Sequence, residues 1–160
     1  MSDSIVIDTN VLTFAAGGHG GNDLTEVCTR IIFTVANDDH FQFALDTDEH
    51  ILDEYMRNLR DYQNPHTKFL QEFFESQLRK RDSITFCVPV PESQVEELSE
   101  LGFDGDDLMF VRIAPNTDFE VIVSCDGESL VEDEYRDWIE EHMEVSVYTP
   151  NEAQSEVENL

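Results

Sequence analysis

Positive charge is what this chain has least of. Nine Lys and Arg stand against 36 Asp and Glu, for a net charge of −27, and only Lys68 and Lys80 of the nine are lysines. The basic footprint that usually marks a nucleic-acid binder is missing from the composition. Cysteine is also scarce. Cys28, Cys87 and Cys125 are odd in number, far apart and set among Ile, Val, Phe or Ser. That excludes a disulfide framework or a CxxC zinc site and fits small core residues in a reducing compartment. His19, His40, His50, His66 and His142 share no metal-ligand spacing. No apolar run approaches the ~20 residues of a membrane span. The three-residue run at 5–7 is too short for the apolar core of a signal peptide. A soluble cytoplasmic protein is expected.

What is abundant is acid and phenylalanine. An apolar content of 40% with 11 Phe in periodic runs argues against a disordered acidic segment. A folded protein of a very salty cytoplasm fits better, because at molar salt the Debye length falls to about 3 Å and self-repulsion is screened. Counterion release then contributes little to any nucleic-acid binding. The 160 residues suffice for one domain burying roughly 70% of its unfolded surface. We place that domain at 1–150, with an acidic C-terminal tail at 151–160.

Short apolar runs alternate with amphipathic stretches along the whole length. SIVID (4–8) reads as a strand buried on both faces, and FQFAL (41–45), ITFCV (84–88), FEVIVS (119–124), the most buried-looking, and VSVY (145–148) read as further strands. Helices are expected after Thr9 and Asn10, and from Asn22 or Asp23 to Ala36. Others are expected after a Thr47 cap, from Asn64-Pro65 to about Arg81, from a Ser93/Glu96 capping box to Leu101, from Asp107 to a stop at Pro115, through Trp138 to His142, and from Pro150. The glycine-rich stretch 17–23 reads as a break. This alternation predicts a single doubly wound α/β domain with a five-stranded parallel sheet flanked by helices on both faces, which binds ligands at the carboxyl ends of its strands.

Four acids occupy telling positions. Asp8 and Asp126 end buried strands, while Glu54 and Asp107 ride helices. Such a fold can gather all four at one sheet edge. Two carboxylates ~4 Å apart repel by roughly 4 kcal/mol at an effective dielectric near 20, and oxygen-only clusters of this kind select Mg²⁺ or Mn²⁺.

The motifs IVIDTNVL, HILDEYMRNL, DGDDLMFVRIA, FEVIVSCDGESL and VSVYTPNEA resemble, in order and spacing, the PIN-domain nucleases, especially their toxin-like branch. The resemblance covers residues 5–153. It implies that Asp8, Glu54, Asp107 and Asp126 are catalytic metal-binding acids, with Asp104, Asp106 and Glu128 auxiliary, and that Asn10 and Ser124 are supporting polar residues. It implies a metal-dependent endoribonuclease that hydrolyses RNA phosphodiesters with Mg²⁺- or Mn²⁺-activated water. A toxin role with an antitoxin-like partner, and a homodimer, are further associations it raises. The chain departs from the pattern at Pro115, which cuts short a helix that runs on in many relatives.

Arg57 and Arg60, with Arg79, Lys80 and Arg81, are the basic residues placed to track RNA phosphates, since Arg forks suit phosphate. For the last three, complementing a helix dipole is the stronger reading. Two alternatives stand beside the nuclease. Asp46 and Asp48 in FALDTDEH resemble the DxD nucleophile motif of haloacid dehalogenase-like phosphatases. A non-catalytic domain of the same fold would bind RNA or protein without cleaving.

Overall fold

The computed structural model describes residues 3–15, 21–38, 40–59, 65–80, 83–126 and 129–158. Five of the apolar runs become the strands β1 (Asp3–Ile7), β2 (Phe41–Asp46), β3 (Ile84–Cys87), β4 (Val121–Val123) and β5 (Ser146–Tyr148). They pair in the order β3-β2-β1-β4-β5, every neighbour parallel. Val6, Ile7, Ile122, Val123 and Val147 are fully buried. Burial on both faces is why these strands read as unbroken apolar runs, not as alternating ones.

The strand order runs outward from β1 in both directions. Right-handed crossovers therefore place the helices of the two halves on opposite faces of the sheet. In chain order these are α1 (Thr9–Ala15), α2 (Gly21–Asn37), α3 (His50–Asn58), α4 (Pro65–Lys80), α5 (Glu96–Glu100), α6 (Leu108–Ile113), α7 (Asp133–Met143) and α8 (Pro150–Glu158). α8 packs against α2 and β5, with Ala153 buried. No helix among the described residues is long and apolar enough to cross a membrane.

An aromatic group locks α3 and α4 to the sheet. The Phe74 ring lies 5.1 Å from that of Phe43 and 5.7 Å from that of Tyr55. The fully buried Tyr55 donates its hydroxyl proton to the carbonyl of Ile7. This bond ties α3 to the last residue of β1 and sets Glu54 beside Asp8.

Local details differ from the sequence expectations. Thr47 does not cap α3. Asp46 does so from the end of β2, accepting from the amides of His50 and Ile51. No Ser93/Glu96 capping box forms: a 3-10 turn at Glu92–Gln94 precedes α5, whose cap position is Val95. β4 is shorter than 119–124 because Glu120, with φ 52, is left-handed. The helix from Asp107 ends at Ile113, and a 3-10 turn, Ala114–Asn116, carries Pro115. Asn64, Arg81 and residues 17–20 of the glycine-rich stretch lie outside the described residues.

Candidate metal centre

Asp8 is the first residue past β1. Its amide donates to the carbonyl of Val123 at 2.9 Å, and its own carbonyl accepts from Val11 at 3.0 Å, so its backbone is fixed between β4 and α1. Its carboxylate is 3% exposed and accepts from Ser124 Oγ at 2.6 Å. The same Ser124 oxygen accepts from the amide of Asp126 at 3.0 Å, so one hydroxyl aligns two acids from neighbouring strands. Asn10 Oδ1 accepts from the Cys125 amide at 3.0 Å and holds the chain that leads into Asp126.

Asp107 arrives from the other half of the fold. Asp104 starts a 3-10 turn, accepting from the Asp106 amide with its side chain and from the Asp107 amide with its carbonyl. The turn delivers Asp107 buried, with Ser129 Oγ donating to it at 2.7 Å. One carboxylate oxygen from each of Asp8, Asp107 and Asp126 lies within 4.8 Å of the others. Glu54 accepts from Thr9 Oγ1 and adds its charge to the field at both Asp8 and Asp107.

Crowding of this kind is costly without a cation. Burial pushes the Asp8 carboxyl up to about 7. The Ser124 bond opposes that rise, and the charges of Asp107, Asp126 and Glu54 reinforce it. Burial likewise raises Asp107 to about 6, against the Ser129 bond and with Asp126, Asp104 and Glu54 adding to it. Among the described residues, the charges that chiefly act on both groups are acidic. Hard carboxylate oxygens at this spacing, held by hydroxyls, suit a divalent metal ion.

The remaining predicted residues divide. Asp104 and Asp106 are exposed at the rim, Asp104 serving the turn itself. Glu128, Arg60 and Arg81 lie outside the described residues, as do the side chains of Arg79 and Lys80, at the end of α4. Arg57 is exposed on α3 and, with Glu54, His50 and Asn58, lines a cleft of about 400 Å³ whose far wall includes Asp106 and Phe110. Asp48 is exposed. Asp46 is fully buried: its oxygens accept from Ile51 N at 2.8 Å, and from His50 N and His50 Nδ1 at 3.0 Å each. Burial alone would raise its carboxyl, but these donors outweigh it and hold the group below its ordinary value.

Sequence reasoning missed Ser129, Thr9 and His50. Ser129 carries no local signal, and Thr9 reads as a helix cap. The signal for His50 was its spacing of four from Asp46, not from another histidine. It also missed that Cys28 Sγ and Cys125 Sγ, both free thiols, lie 3.7 Å apart. No protein-family profile matches this chain, and a search of curated proteins returned no match.

Proposed function

We propose that this protein is a metal-dependent ribonuclease of the PIN type, hydrolysing RNA phosphodiesters at the cluster of Asp8, Asp107 and Asp126 with Glu54 beside it. The observation that carries the reading is the convergence of three acids, two of them buried, with one carboxylate oxygen from each within 4.8 Å of the others. Mg²⁺ or Mn²⁺ is the ion such hard oxygens favour. A divalent ion there would supply Lewis-acid polarisation of the phosphoryl oxygen and activation of water near neutral pH. The chain's own part is to fix the geometry. Ser124 and Ser129 orient the carboxylates, Asn10 steadies the strand end, Thr9 holds Glu54 for a second ion or the attacking water, and Arg57 meets a phosphate in the cleft. Asp106 and Asp104 supply negative field at the rim.

The toxin role, with an antitoxin-like protein bound to it, belongs to the same reading. The phosphatase alternative is less well supported, because Asp46 has both oxygens engaged and no exposed surface from which to attack phosphorus. Labelled RNA incubated with Mn²⁺ in molar salt tests the reading. Wild type should cleave and Asp8→Asn should not. Equal cleavage by the two proteins would overturn the nuclease reading.

A further inference from the structure

The cleft beside the acids has an unusual chemical balance. Among the described residues, its walls offer the carboxylates of Glu54 and Asp106 and the imidazole of His50 against one cation, Arg57. Such a lining disfavours a second phosphate and favours a ligand edge that donates hydrogen bonds. His50 is the first residue of α3, one helical turn or about 6 Å along the axis from Glu54. Its side chain is 63% exposed, yet its Nδ1 lies 3.0 Å from the fully buried Asp46. An ionised carboxylate can only accept, so Nδ1 carries the proton in that bond. In the neutral ring Nε2 is then the acceptor, its tautomer fixed by the group behind it.

Resting on the ribonuclease reading, we infer that His50 contacts the substrate directly, its Nε2 accepting a hydrogen bond from the 2′-hydroxyl of the nucleotide next to the scissile phosphate. Asp46 is the positioning residue behind it. Asp46 is held by two backbone amides at the start of α3, so the imidazole is braced by the helix itself. A 2′-hydroxyl is the group by which a protein tells RNA from DNA at a given site. The dyad thus assigns the enzyme a ribose preference in the α3 cleft, one turn away from the reacting atoms.

The test compares a single-stranded RNA oligonucleotide with DNA of the same sequence, under Mn²⁺ in molar KCl. Wild type should show higher kcat/KM on RNA. His50→Ala should lower that preference about five- to tenfold, the loss of one hydrogen bond, and the change should fall in KM. His50→Gln, whose amide oxygen accepts at similar reach, should keep most of the preference. An unchanged preference in His50→Ala, a wild type indifferent to sugar, or a loss confined to kcat would each overturn the assignment. If Asp8→Asn abolishes cleavage while His50→Ala keeps the preference, the His50 assignment falls and the metal reading stands. Cleavage indifferent to Asp8 removes both.

Discussion

Asp8 and Asp46 end neighbouring parallel strands, and both are buried, at 3% and 0% exposure. Their carboxyls nevertheless shift in opposite directions, Asp8 up to about 7 and Asp46 below its ordinary value. Solvent exposure does not separate them: Asp8 is the more deeply desolvated, and the two differ in their partners. Asp46 meets two helix amides and an imidazole, so its charge is solvated by the fold. Asp8 meets one hydroxyl and three other acids. One position is a finished structural bond; the other gathers acids that could hold a metal ion. Deep burial with few donors, not low exposure alone, sets Asp8 apart from Asp46.

The contrast can be broken most severely by exchanging charge for amide at each position. Asp8→Asn should lower RNA cleavage on the order of 10³-fold or more, cancel any rise in Tm produced by millimolar Mn²⁺, and leave the metal-free protein more stable than wild type. Calorimetry in EDTA checks the last point, and a metal-free variant that melts lower than wild type would contradict it.

The pH dependence of stability should separate the two acids almost as clearly. A carboxyl raised in the fold stabilises fully below its unfolded value of 3.8. That contribution is lost as pH climbs through the folded value, so metal-free protein should weaken between about pH 4 and pH 7. For Asp8 the loss is on the order of 4 kcal/mol. Asp46 acts with the opposite sign: its contribution is present above 3.8 and disappears as pH falls below it. Urea titrations across this range in EDTA measure both limbs, and Mn²⁺ should flatten the upper one.

Asp46→Asn should cost about 2 to 3 kcal/mol in urea unfolding, since an amide cannot accept from all three donors. A variant as stable as wild type would erase the contrast. The smallest change is Ser124→Ala. It removes the bond that lowers the Asp8 carboxyl and should weaken Mn²⁺ binding roughly five- to tenfold by calorimetric titration, for one hydrogen bond lost.

Much of this was legible in the chain. Apolar runs at 5–7 and 41–45 become central strands, and the acids that follow Ile7 and Val123 stand at the carboxyl edge where a parallel sheet opens. The sequence ranks Asp8 above Asp46 only through the motif resemblance; locally each simply follows an apolar run. What separates them is the amides of His50 and Ile51 in one case and Asp107, far along the chain, in the other. Thr47 has the chemistry of a cap, but Asp46 reaches the first-turn amides first. The Ser93/Glu96 spacing fits a capping box, yet the chain folds a 3-10 turn there. Ser129 and the Cys28–Cys125 approach depend on pairings across the whole fold, which no local pattern encodes.

The β1–β4 pairing also has a meaning in time. Ser124 and Asp8 lie 116 residues apart, whereas β1 finds β2 within the first third of the chain. Closing so long a loop is a slow, late step of folding. Asp126 therefore meets Asp8 only when β4 docks against β1. Ordering the chain this way defers the Asp126 part of the electrostatic cost until β4 joins the sheet, and the three-acid cluster is complete only once the last third of the chain is in place.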